Sequence, residues 1–91
     1  MQLTFARSAK RHGISHERAR YVVEHCGVPL YQPVRAGQHV VVMFLGLDQH
    51  GVPLEIAAVE AASEELIVIH AMRLRRKFRS DLERVIAAHD R

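Results

Sequence analysis

The chain has 91 residues, 48% of them apolar and 25% charged, a balance that suits one globular domain spanning 1–91 and excludes a disordered or collagen-like chain. Its longest apolar runs, Val40 to Leu45 and Leu66 to Ile69, fall far short of the roughly 20 residues of a membrane span, and no basic start followed by an apolar stretch reads as a signal peptide. The single cysteine, Cys26, has no partner within the chain, which fits a reducing cytoplasm; a cytoplasmic protein that meets no membrane is expected.

The net charge of +3 hides an uneven layout. Residues 1–35 carry +4, residues 36–72 hold no Lys or Arg and carry −5, and residues 73–91 carry +4. Five bases fall between Arg73 and Arg79. Such a cluster is either a solvated helix face or a phosphate-binding patch, and the second needs the two basic ends to meet in space.

In chain order, Gln2 to Phe5 suits a short strand or a lead-in, and Ala6 to His12 one or two helical turns. Gly13 stands where a left-handed stop belongs. Ser15 is an N-cap for a helix over 15–26, whose apolar stripe is Ala19, Val22, Val23 and Cys26. Gly27 and Pro29 end it. Val28 to Val34 reads as a ragged strand, and its prolines place it at a sheet edge. His39 to Leu45 is apolar on both faces and reads as a central strand. Asp48-Gln49-His50-Gly51 is turn chemistry. Leu54 to Ala61 is alanine-rich and could pass for helix, but its hairpin context favours a strand. Residues 62–65 turn the chain into a strong strand, Leu66 to Met72. Leu74, Phe78, Leu82, Val85 and Ile86 mark the apolar face of a helix over 74–89.

Four strands joined by short loops predict an α+β fold: a four-stranded antiparallel meander, with the N-terminal helices and the C-terminal helix packed on one face. Val42 and Phe44 should lie deep in its core. A domain this small buries only about 60–65% of its unfolded surface, so a partner or a second copy would help it.

The run Lys10-Arg11-His12-Gly13-Ile14-Ser15, followed by Glu17 and Ala19, resembles the Lys-His-Gly-Ile/Val-Ser-Phe-Glu-Glu-Ala signature of BrnT-like toxins. These are small bacterial toxins of type II toxin–antitoxin systems, grouped with the RelE superfamily. The order of elements is similar along nearly the whole chain, with a looser match at Ile69 to Glu83. The resemblance implies a RelE/BrnT-like fold and an endoribonuclease that cuts RNA without a metal or other cofactor. It also implies a cognate antitoxin, of ribbon-helix-helix type, that silences the toxin and carries the pair to operator DNA. Four positions depart from the family pattern. Met72 stands where the last strand's arginine is expected and His70 where its serine is. His16 replaces a phenylalanine, and Arg18 a glutamate.

Metal-free RNA cleavage needs a group to take the 2′-hydroxyl proton, a group to protonate the leaving 5′-oxygen, and cations on the phosphate. Histidine suits the proton steps and arginine the phosphate. His70, Arg73, Arg75 and Lys77 are the candidate catalytic residues. Lys10, Arg11, Arg76 and Arg79 are candidates for holding the rest of the RNA. The blander readings are a sheet-end histidine bonded to backbone, and arginines paired with Asp81 and Glu83 along the helix. A non-catalytic module on the same fold, binding nucleic acid or protein, is the alternative function. His12 and His16 are four apart, as metal ligands on a helix are, but Gly13 and the Ser15 cap separate them and no cysteine or carboxylate cluster supports a site.

Overall fold

The computed structural model describes residues 2–26, 29–32, 39–61 and 64–89. It contains β1 (Gln2–Phe5), a 3-10 turn (Arg7–Lys10), α1 (His16–His25), β2 (Leu30–Tyr31), β3 (Val41–Leu47), β4 (Pro53–Glu60), β5 (Glu65–Arg73), a second 3-10 turn (Arg76–Phe78) and α2 (Arg79–His89). The strands form one sheet in the order β1-β5-β4-β3-β2. The β2-β3-β4-β5 part is the expected antiparallel meander. The sheet has five strands rather than four, because β1 adds to β5 in parallel, with Leu3 level with Leu66 and Phe5 with Val68. Of the expected edge strand, Leu30 and Tyr31 pair with β3. Val28, Pro33 and Val34 lie outside the described residues.

The helices do not share a face. Along β3, Val42 and Phe44 join a core with Ala19, Val22 and Val23 of α1. The alternate residues Met43 and Leu45 pack with Leu82 of α2. Successive side chains of a strand point to opposite sides, so α1 covers one face and α2 the other. This corrects the one-face packing expected from the sequence. Its cause is the run Val41–Leu45, apolar at every position, which needs cover on both sides. Phe44 and Val42 are buried as expected, and Leu45, Leu54, Ile56 and Val68 are more than 98% buried.

Local chemistry sets the ends of α1. Ser15 is extended and its Oγ accepts the Arg18 N–H at 3.2 Å, satisfying one orphan amide of the first turn. Gly13 ahead of it has φ +71°, the left-handed conformation that glycine adopts without strain. Where α1 crosses β3, a Cβ on Gly46 would stand 3.4 Å from Val22 and 3.6 Å from Cys26, so glycine there lets the helix lie close on the strand. Asp48 closes the β3–β4 turn. Its buried carboxylate accepts the N–H groups of His50 and Val52 at 2.8 and 2.9 Å and pairs with Arg18 of α1 at 2.7 Å. Burial raises this carboxyl's pKa, and these partners outweigh burial and bring it down to about 2. No described helix is long and apolar enough to cross a membrane.

Candidate functional site

The site is built around a buried carboxylate on the α2 face. Glu55, in the middle of β4, is fully buried. It stands opposite Leu45 on one side and Met72 on the other. Its carboxylate accepts the Arg75 backbone N–H at 2.8 Å, the Arg75 Nε–H at 2.8 Å and His70 Nε2–H at 3.0 Å. Arg75 Nη2 lies 2.6 Å from the same oxygen as Nε. Arg75 is the extended residue immediately before the second 3-10 turn. Both its backbone and its side chain are therefore fixed by one carboxylate.

A break in the β4–β5 register brings His70 there. Ala58 pairs with Val68, yet the next residue back, Ala57, pairs with His70. Ile69 is the extra residue of a β-bulge, and the bulge shifts every later residue of β5 by one place. His70 and Met72 consequently share a face with Glu55, while Ala71 enters the α1-side core at 1% exposure. Ser8 Oγ of the first 3-10 turn donates to the Ile69 carbonyl at 2.7 Å. That turn runs along β5 beyond the end of β1 and delivers His12, whose ring meets the His70 ring edge-on at 5.7 Å between centroids.

Electrostatics fix the protonation pattern around Glu55. Burial pushes its carboxyl pKa up, but the hydrogen bonds from Arg75 and His70 and the arginine charge more than offset this and hold it below the usual range. Glu55 is thus ionised at neutral pH and can only accept hydrogen bonds. The proton of the His70 contact therefore sits on Nε2, and a neutral His70 presents a lone pair on Nδ1. The Arg75 guanidinium spends part of its donor fork, Nε and Nη2, on Glu55. Its side chain is 43% exposed and that of His70 27%.

The other sequence candidates distribute unevenly. Arg75, Arg76 and Arg79 line one groove of about 410 Å³ between the start of β4, the second 3-10 turn and α2, over a floor that includes Pro53, Leu74 and Leu82. Lys77 lies over the Phe78 ring at 5.1 Å, and Arg75 over the same ring at 5.4 Å. Arg73 is exposed and pairs with Leu54. Its alternation with Met72 puts it on the α1 face, away from Glu55. Lys10 and Arg11 are exposed at the end of the first 3-10 turn, just before His12. Among the described residues, no ion pair engages Arg7, Lys10, Arg11, Arg73, Arg76, Lys77 or Arg79. The basic first 3-10 turn lies along β5 and the basic 73–79 segment begins at the end of that strand, whereas Glu60, Glu64 and Glu65 sit at the far end of the β4–β5 hairpin.

Glu55 has no local signal beyond that of an acid within an apolar strand, and the sequence spacing of His12 points to His16 and not to its neighbour in the fold, His70. Among the described residues, no three His, Cys, Asp or Glu are grouped to hold a metal. Cys26 is half-buried, and burial pushes its thiol up to about 11, which keeps it protonated at neutral pH. Compared with family models, with curated proteins and with solved structures, the chain matches none.

Proposed function

We propose that the chain is a metal-independent endoribonuclease and the toxin of a type II toxin–antitoxin pair. The observation that carries the activity is the anchoring of His70 and Arg75 on one buried carboxylate, with His70 against a second histidine and Arg75 lining a groove with Arg76, Arg79 and Glu83. The toxin assignment rests on the BrnT-like resemblance of Lys10 to Ala19.

In this reading His70 Nδ1 takes the proton of the RNA 2′-hydroxyl. The 2′-oxygen forms a bond to the adjacent phosphorus as the bond from phosphorus to the 5′-oxygen breaks. His12, in its protonated form, gives its proton to that leaving oxygen. Glu55 holds His70 in the required tautomer and stabilises the imidazolium that forms, the role a buried carboxylate plays in a catalytic triad. The free N–H groups of Arg75 neutralise charge on the phosphate, and a planar fork suits that task. Arg76 and Arg79 hold flanking phosphates. Of the candidate cations, Arg75 is the one beside His70 on Glu55, Arg73 lies on the other face, and Lys77 serves the flank. A ribbon-helix-helix antitoxin silences the enzyme and carries the pair to operator DNA.

The test is cleavage of RNA by purified protein in EDTA, alone and with ribosomes, scoring 2′,3′-cyclic phosphate and 5′-hydroxyl ends. His70→Ala and His12→Ala should each lower the rate by about a hundredfold or more, and Arg75→Ala by a similar factor, with RNA binding still measurable. Co-expression with the neighbouring reading frame should relieve growth arrest. Intact RNA under both conditions, with harmless expression, rejects the enzyme. One observation favours the alternative of a non-catalytic nucleic-acid-binding module: Met72 occupies the strand position opposite Glu55 where the resemblance calls for arginine. Under that alternative the groove arginines set affinity and there is no cleavage to lose.

A further inference from the structure

Phe5 and His16 form a stacked pair on the α1 side of the same sheet edge. Their ring centroids are 3.9 Å apart and their planes 5° from parallel. Phe5, the last residue of β1, is partly buried against the α1-side core. His16, the first residue of α1, is exposed. The geometry is fixed from both ends. Phe5 is held level with Val68 by the parallel pairing of β1 and β5, and the following Ala6 N–H donates to the Val68 carbonyl at 2.8 Å. His16 follows directly on the Ser15 cap. One face of the imidazole is covered by Phe5, and among the described residues no other ring lies on the opposite face.

The pair lies on the α1 side of this edge, and His70 with Glu55 on the opposite face. Val68 is two residues before His70, and adjacent strands are about 4.8 Å apart. Between the stack and His70 runs the first 3-10 turn, with exposed Arg7, Lys10 and Arg11 at its surface. An RNA strand laid along this edge meets cations for its phosphates and a flat, pre-ordered ring within one short segment. Nucleobases stack on such rings whatever their sequence, since every base has a π-face. We infer that His16, backed by Phe5, is a stacking platform for a nucleobase of an RNA strand that passes over this edge to reach the His70 side. This rests on the reading of the β5 rim as an RNA site. His16 is here a substrate-positioning residue and takes no part in the proton transfers.

The chain contains no tryptophan, so His16→Trp installs a single fluorescent reporter at the platform. The probe is a short RNA made uncleavable by 2′-O-methyl sugars. Its emission should be quenched on binding, and His16→Phe should hold the probe within about twofold of wild type. His16→Ala should weaken it about tenfold or more, the range found when a stacking ring is removed, with unchanged far-ultraviolet circular dichroism. His25→Ala is the control. That histidine is stacked on Tyr21 at the other end of α1, with centroids 4.1 Å apart, and its loss should leave affinity unchanged. If wild type binds the probe through Arg76 and Arg79 while His16→Ala binds equally well, the platform is overturned and the RNA site stands. Unquenched tryptophan in a saturated complex overturns it too. If wild type binds no probe at any salt, the RNA site falls and the platform with it.

Discussion

Glu55→Ala tests the anchor of the site through stability alone, without assuming any activity. The carboxylate is fully buried and accepts from the Arg75 backbone, the Arg75 side chain and His70. Removing one partner of a buried ion pair costs about 3–5 kcal/mol. The Arg75 side chain is 43% exposed, so its guanidinium regains water once the carboxylate is gone. That places the cost near the lower end, about 3 kcal/mol. A domain of 91 residues has a total stability of roughly 5–14 kcal/mol, so the loss is a large fraction. At about 4–8 °C per kcal/mol, Tm should fall by roughly 12–24 °C. Glu55→Gln keeps the volume but turns an amide NH₂ toward the Arg75 donors, and should cost about 1.5–3 kcal/mol. The folded Glu55 carboxyl is held below its unfolded pKa of about 4.3. Its contribution is therefore complete above about pH 4.3 and is lost as pH falls through the folded value. Glu55→Gln removes that part of the acid destabilisation, whereas the part from Asp48, lowered to about 2, persists. Urea unfolding followed by circular dichroism at pH 7, 5 and 3 measures both effects. Glu55→Ala within about 0.5 kcal/mol of wild type at pH 7, or an unchanged acid limb in Glu55→Gln, would refute the anchor.

Phe44→Ala should cost about 3–5 kcal/mol in the same unfolding assay, because its ring fills the α1-side core. Ser8→Ala should cost about 0.5–1.5 kcal/mol and, by unlatching the first 3-10 turn from the bulge, speed amide exchange at Ala9 and Arg11, whose N–H groups bond within that turn. Arg76→Ala and Arg79→Ala should each weaken RNA retention and flatten the slope of log affinity against log salt by about 0.7 for single-stranded RNA. Slopes equal to wild type would remove these arginines from the interface.

The meander was legible because its signals are local. The apolar run of β3, the Asp48–Gly51 turn and the strong strand of β5 each announce themselves within ten residues. So did the Ser15 cap and the left-handed Gly13. The parallel partnership of Gln2–Phe5 with Glu65–Val68 joins segments about sixty residues apart, and nothing local in four residues specifies it. A strand apolar on both sides needs two layers, so the pattern of His39–Leu45 itself argues against helices on one face only. At the site, His70 and the basic segment were visible as residue types. Glu55 was not, because an acid in a strand normally faces water. It is buried here because His70 and Arg75, fifteen and twenty residues later in the chain, converge on it.

A single extra residue decides which chemistry this rim presents. If the ladder ran unbroken from the Ala58–Val68 pair, His70 would fall opposite Ile56 and enter the α1-side core, and Ala71 would face Glu55. The bulge at Ile69 reverses both assignments. The same bulge presents the Ile69 carbonyl to Ser8, which ties down the turn that leads to His12, so one irregularity sets the position of both histidines. It also settles the arginines. With Met72 on the Glu55 face, Arg73 must lie on the other while the chain remains in the strand. Arg75 is past the end of β5 and no longer bound to alternate, and its extended backbone at the start of the next turn lets both N–H and guanidinium reach back to the carboxylate. The cation that reaches Glu55 is therefore Arg75 and not Arg73, two residues before it.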